Sequence, residues 1–328
     1  LAIVSKRIIR RHPRTVAALA LGAAVSLGAA ACSGDSTVAT PTTVQTSAAS
    51  AAPGPAAQAP RATATSLTTS TSDKDFAGTV DALKTAVSDN GMMILGELDQ
   101  ASALKAAGLN LAGAHTFFVG NPSVGKMFFE KTAEIGTVLP LQMLVWAGND
   151  GKAHVSYFDP KPLFEAVDPM LADGGQKMSD AAAMISSAAT GAGAGEPGTA
   201  QPAELMTVDS QASFDDTVNA LKQSASDNGM MILGDLDQAA ALKTTGLNLA
   251  GAHTFFVGNP SVGKMFFEQT PAIGAVLPLR MLVWADHDGK AHVSYFDPKP
   301  LFAAVDPGLA DGGQKMSDTA AMLAGSVA

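Results

Sequence analysis

The chain has 328 residues, 47% of them hydrophobic, with 21 Lys and Arg against 30 Asp and Glu, which is enough apolar material for two ordinary domains and excludes a disordered polymer. A formal charge of −9 argues against binding nucleic acid, because neutralising phosphates takes a concentrated basic face. The single cysteine excludes a disulfide framework and any cysteine-rich zinc or iron–sulfur centre.

In chain order, Lys6, Arg7, Arg10, Arg11 and Arg14 form a positive leader, and 15–31 is an uncharged Ala/Leu/Val run too short and small-residued for a permanent span. Residues 1–31 therefore read as an export signal. The run ends Leu27-Gly28-Ala29-Ala30-Ala31-Cys32, which resembles a bacterial lipoprotein box, with Ala29 where that pattern usually has Leu. Cys32 is then the lipidation site, and the chain is expected on the outer face of the cytoplasmic membrane or elsewhere in the cell envelope; ordinary signal-peptidase cleavage nearby is the alternative. Removing the leader takes away five basic residues and leaves sixteen against thirty acidic, a net of −14. Anionic lipid heads repel such a protein, so its acyl chain is the expected anchor.

Residues 32–65 are Ser, Thr, Ala and Pro with almost no charge, a composition that cannot repay the entropy of folding and reads as a tether. A second such stretch, 186–203, reads as a flexible linker between two longer segments, 66–185 and 204–328. Those segments are copies: 76–180 and 214–318 align without a gap at an offset of 138, and roughly four-fifths of positions agree. Each copy has the size of a small independent domain, so the expectation is two beads on a string. The differences Asp81/Asn219, Thr85/Gln223, Lys131/Gln269 and Asn149/His287 fall where the patterns below put solvent.

Within a copy, 205–208 reads as a first strand, after which Ser213 caps a helix whose apolar residues Phe214, Val218 and Leu221 share one face. Phe76, Val80, Leu83 and Val87 repeat this behind Asp75, and Asn90-Gly91 ends the helix. A strand follows at 92–95, and Asp99 caps a short helix that stops at Gly108. Next come a strand at 115–120, a turn at Asn121-Pro122 and a helix through Met127 and Phe128. Strands 141–147 and 152–158 form a hairpin about Asn149-Asp150-Gly151, and Pro162 opens a closing helical region. The sum is an α+β fold, in each copy a mainly antiparallel sheet with helices on one face.

This ordered set resembles the family called domain of unknown function 302. The resemblance rests on the helix running into Asn90-Gly91, the Gly120-Asn121-Pro122 turn, the Leu139-Pro140-Leu141 strand entry and the closing Tyr157-Phe158-Asp159-Pro160, and it covers nearly all of each copy. It implies a TATA-box-binding-protein-like β-α-β-β-β arrangement, and domains that tend to pair; it implies no reaction. Gln142 departs from the pattern where the second copy has Arg280, so any anion-binding role there is absent from copy one.

The run from Gly120 to Met127 fits G-x-x-x-x-G-K up to its last position and recurs at 258–265. Met127 and Met265 stand where a hydroxyl must hold magnesium, and Pro122 removes an amide from the cradle, so no nucleotide is expected. His115 and His154, with His253 and His292 in the second copy, bring two imidazoles to one sheet, but a metal site needs three or four ligands and the remaining ones are unidentified. No cofactor is predicted, and a metal stays open. Ser156, two residues from His154, has no glycine elbow or orienting third group, which weakens a nucleophile reading.

Strand composition carries more. Residues 115–119, 143–146 and 155–158 place large apolar groups at odd and even positions alike, so both sheet faces bear them while helices cover one. The other face must meet the sister copy, a second molecule or an apolar ligand. The expected candidates for binding are His115, Asn121, Trp146, His154 and Asp159, with His253, Asn259, Trp284, His292 and Asp297 as their copies. The resulting expectation is a tandem envelope lipoprotein that acts by binding a partner or small apolar molecule through a sheet face, its copies docked on each other or paired between chains. A metal- or cofactor-dependent enzyme using the paired histidines is the rival.

Overall fold

The computed structural model describes residues 59, 61–193 and 195–328. Cys32, the leader and all of the tether before its last residues lie outside the described residues. Copy one begins with β1 (Arg61–Thr65) and β2 (Leu67–Thr71), then α1 (Phe76–Asp89), β3 (Met93–Asp99), α2 (Gln100–Ala106), β4 (Ala114–Gly120) and α3 (Pro122–Phe129). A 3₁₀ turn, Ala133–Thr137, leads into β5 (Leu141–Ala147), β6 (Ala153–Phe158), α4 (Pro160–Val167) and α5 (Ala172–Thr190). After β7 (Glu196–Pro197), copy two runs through β8 (Gln201–Asp209), α6 (Phe214–Asp227), β9 (Met231–Asp237), α7 (Gln238–Lys243), β10 (Ala252–Gly258) and α8 (Pro260–Phe267). Its 3₁₀ turn, Pro271–Ala275, precedes β11 (Leu279–Ala285), β12 (Ala291–Phe296), α9 (Pro298–Val305) and α10 (Ala310–Gly325).

Local chemistry accounts for these boundaries. Asp75 accepts the Gly78 amide at the head of α1, and Ser213 accepts the Asp216 amide at the head of α6. Gly91 ends α1 at φ 67° and Gly151 turns the β5–β6 hairpin at φ 77°, conformations open to residues without a Cβ. The closing helices start at Pro160 rather than Pro162, because Asp159 accepts the Lys161 amide and leaves the first helical position to proline. All four pairs of copy differences named above are exposed.

Every ladder is antiparallel, in two sheets ordered β3-β4-β5-β6-β2-β7 and β9-β10-β11-β12-β8-β1. The last strand of each comes from outside its own copy. β1, which leads into copy one, lies against β8 of copy two with Arg61 opposite Leu205, while β7 sits beside β2. This corrects the beads-on-a-string expectation: the copies complete each other's sheets. It also corrects two compositional readings. The end of the tether is strand β1, and the 186–203 linker contains the last turns of α5, β7 and the start of β8. Their small residues suit close packing, with Thr65, Ala189 and Ala203 all buried.

Each sheet has a helix face and a sister face. Opposite residues of neighbouring strands share a face, so Phe117, Met143, Val145 and Val155 point together into a core with Leu83, Val87, Phe164 and Ile185. Thr116, Leu144, Trp146, His154 and Ser156 occupy the other side. There the 3₁₀ turn of each copy packs on the sheet of the other, Ile135 joining a cluster that contains Leu282 and Trp284 of copy two. Glycine is required at 136 and 274 by proximity: a Cβ on Gly136 would meet Gln238 Oε1 and Leu282 Cδ1, and on Gly274 their counterparts Gln100 and Leu144. Phe118 and Phe256 stack at 4.2 Å between the copies.

Candidate functional site

The sister face carries a polar seam. Gln100 donates to Leu277 O at 2.5 Å, and Gln238 donates to Leu139 O at the same distance. Gln142 donates to Gly274 and Ala275 carbonyls, and Arg280 donates to those of Gly136, Val138, Leu139 and Pro140. The Arg280 guanidinium is thus committed to backbone carbonyls of copy one. Burial pulls its pKa down to about 9, which leaves it charged at neutral pH, and its Nε is enclosed without a partner although the residue as a whole is half-buried. On one side only, a carboxylate enters the seam. Glu134, 4% exposed, accepts Arg61 Nη2 at 2.6 Å, Thr207 Oγ1 at 2.6 Å and Ser294 Oγ at 2.9 Å. Copy two has Ala272 at that position.

The expected histidine pair does not form. His115 lies opposite Val145 and His154 opposite Trp146, one residue out of phase, so the two imidazoles project from opposite faces of the sheet; His253 and His292 repeat this. His115 stacks on Phe117, and its Nε2 is 3.6 Å from Glu97. Burial lowers its pKa, against the pull of Glu97 and Asp99. His154 stacks on Trp146 and contacts Thr71 and Asp150, whereas His292 stacks on Trp284 between Asp209 and Asp286. Among the described residues no group of three or more His, Cys, Asp or Glu is placed to hold a metal ion. Ser156 is buried and spent on Trp146 Nε1 and Thr69 rather than on His154. Asp159 and Asp297 are helix caps, each accepting a serine hydroxyl and a lysine amide. They add to the burial that raises Tyr157 and pushes Tyr295 up to about 12.

Of the expected candidates, His253 lines a polar opening of about 440 Å³ on copy two beside Asp215, Asp237 and Lys243, and Asn121 and Asn259 line apolar ones. Two related clefts sit where the turn after β4 or β10 meets a short helix of the sister copy. The first, about 210 Å³, is lined by Met92, Leu95, Val124, Phe128, Pro140 and Met184 of copy one and closed by Leu242 of α7. The second, about 150 Å³, is lined by Leu233, Val262, Phe266 and Pro278 of copy two and closed by Leu104 of α2. No charged side chain lines either one. Their asparagines are occupied: Asn121 Nδ2 donates to Gly91 O and its Oδ1 accepts the Ser123 amide, and Asn259 does the same with Gly229 and Ser261, whereas Gln100 Oε1 on the second cleft is buried without a hydrogen-bond partner. The Gly-x-x-x-x-Gly-Lys run is therefore a capped turn between antiparallel strands. A third cavity, about 100 Å³, lies between the copies and is lined by Gln142, Arg280, Tyr157 and Tyr295.

Residues 68–190 and 206–327 each match the family described as "Domain of unknown function DUF302". The chain belongs to the DUF302 family. A similar solved structure is the crystal structure of the uncharacterized conserved protein DUF302 from Bacillus stearothermophilus, 20% identical, with a TM-score of 0.36, covering 38% of this chain and 98% of that one. Among curated proteins, the fluoride-specific ion channel FluC 1 of Brucella suis biovar 1 is 33% identical over 94 residues, 29% of this chain and 37% of that protein. FluC 1 of Brucella abortus biovar 1 is 33% identical over the same length, 35% of that protein. The tandem DUF302 chain thus spans little more than a third of these relatives. Among the described residues, no helix is long and apolar enough to cross a membrane.

The inter-copy residues of this DUF302 tandem, Arg61, Gln100, Glu134 and Gln238, escaped sequence reasoning. A signal existed. Positions 133, 134, 137 and 142 differ between the copies inside an otherwise constant stretch, and all four lie at the sister contact.

Proposed function

We propose that this DUF302 tandem is a binding protein that takes up small uncharged apolar molecules in its two inter-copy clefts. The observation that carries the reading is a doubly repeated opening that is apolar, free of charged side chains and rimmed by exposed Leu95, Val124 and Val262. The sheet face expected to bind a ligand is covered by the sister copy, so the open apolar surface is at the clefts instead. An apolar cavity of about 150 Å³ accommodates benzene; clefts of about 150 and 210 Å³, open on one side, take one ring of a larger apolar molecule or a short hydrocarbon tail. Titration with the uncharged fluorophore N-phenyl-1-naphthylamine tests this, with two sites per chain expected. A Cβ on Gly125 meets nothing within 4 Å, and one on Gly263 only touches Leu104 at 4.0 Å, so Gly125→Phe and Gly263→Phe fill one cleft each. Each should remove one site, and the double variant both. Unchanged stoichiometry in the filled variants overturns the reading.

The same proposal places the protein in the cell envelope, held by a lipid on Cys32 and acting as a monomer whose copies pair within the chain. The basic leader, the apolar run and the cysteine after Ala29-Ala30-Ala31 support the anchor, and a mature net charge of −14 opposes adsorption to anionic surfaces. Metabolic labelling with a fatty acid should mark the native chain and fail on Cys32→Ala; equal labelling refutes the anchor.

A further inference from the structure

The cavity of about 100 Å³ between the copies takes its shape from the duplication. Each residue that lines it has its counterpart, 138 positions away, lining it too, as Leu141 does with Leu279 and Tyr157 with Tyr295. Two of these pairs differ in kind: Thr137 with Ala275, and Gln142 with Arg280. Thr137 donates its hydroxyl to the Glu134 carbonyl, so the difference that bears on the cavity is a positive charge.

That charge has no counter-ion. Among the described residues Arg280 forms no ion pair; its Nη groups end on backbone carbonyls, its Nε on nothing, and the Phe256 ring stands 6.0 Å from its central carbon. Carbonyl dipoles and a ring face ease an enclosed charge without neutralising it, and an unpaired charge held away from water is costly. A second polar group is also left over. Thr68 stands opposite Tyr157 within hydrogen-bonding reach of its hydroxyl, but Met206 stands opposite Tyr295. Tyr295 is 4% exposed, and among the described residues its hydroxyl has no hydrogen-bond partner. The rest of the lining is mostly apolar, with Leu141, Met143, Leu163 and their copies.

We propose that this cavity binds a short-chain monocarboxylate, whose charge offsets that of Arg280, whose oxygen accepts the Tyr295 hydroxyl and whose alkyl chain lies on the leucines and methionines. The site is distinct from the two clefts and stands whether or not they take a ligand. Benzene fills an apolar cavity of about 150 Å³, so a space of about 100 Å³ suits a carboxylate of about two to four carbons.

Isothermal titration of the purified full chain with sodium butyrate and, separately, with butyramide tests this, since the two share a skeleton and differ in charge. One butyrate per chain is expected, bound about tenfold or more tighter than butyramide. Arg280→Gln installs the residue that copy one carries at 142 and should bind both compounds alike. Tyr295→Phe removes a single hydroxyl and should weaken butyrate about fivefold, which keeps the test decisive if the arginine variant does not fold. Gly125→Phe and Gly263→Phe obstruct the clefts and should leave butyrate binding unchanged. Equal affinity for the two compounds, a preference that survives Arg280→Gln, unchanged butyrate affinity in Tyr295→Phe, or loss of butyrate in a cleft-filled chain overturns the proposal.

Discussion

Replacing Arg61 by alanine tests how the copies are fastened. The guanidinium sits on β1, at the edge of copy two's sheet, and meets a carboxylate that copy one's 3₁₀ turn pushes against Thr207 and Ser294. The arginine side chain is 38% exposed and the glutamate 6%, so the pair lies between the surface and buried limits. Breaking a buried pair costs about 3–5 kcal/mol and an exposed one about 0–1. For Arg61→Ala we expect about 1.5–3 kcal/mol, part of it the lost bond from Arg61 Nη1 to Val167 O. That second bond does not involve Glu134. In a Glu134→Ala background, which copy two shows to be sterically acceptable through its Ala272, Arg61→Ala should therefore cost only about 0.5–1 kcal/mol. Urea-unfolding midpoints of native, single and double variants close the cycle. If Arg61→Ala costs the same in both backgrounds to within about 0.5 kcal/mol, the pair does not couple the copies.

Three further outcomes follow from other parts of the molecule. Gly136→Ala drives a methyl into Leu282 Cδ1, 2.9 Å away, and should lower stability by about 1–3 kcal/mol in a thermal melt; Gly274→Ala should do the same, and neutrality at both would refute the close approach. Gly125→Ala, in a helix with open space at its Cβ, should raise stability by about 0.5–1 kcal/mol, and a loss would show that the glycine is needed for another reason. Burial lowers the His115 pKa below 6.5, so the unfolded chain takes that proton first and stability falls as pH drops from above 6.5 through the folded value. His115→Gln should flatten the slope of melting temperature against pH in that window, and an unchanged slope would rule out the linkage.

What could be read ahead of the structure was local. Asp75, Ser213, Asn90-Gly91 and Asp150-Gly151 act within a few residues of themselves, and each marks the boundary it was expected to mark. The even and odd apolar pattern of 115–119 and 143–146 also signalled two covered faces. Strand parity could not be applied to His115 and His154 without the register, because one residue of slip moves a side chain to the other face. The candidate site suffered from the same gap. Asn121 was legible as a cap, but the cleft beside it exists only because Leu242 arrives from a helix more than a hundred residues away.

The duplication itself hid the most important contact. With most positions shared, agreement between copies reports recent ancestry and nothing about packing, and the Ser/Thr/Ala segments that carry β1 and β7 have the composition of a tether. Yet a pair of like surfaces in one chain need not stay alike. Glu134 with Arg61 on one side and Ala272 on the other give the seam a direction, as do Gln142 and Arg280, each reaching the other copy's turn with a different donor. In two separate chains of one sequence, both sides of such an interface change together. In a tandem each side can change alone, so the differences worth reading are those that fall in pairs across the seam, and these do.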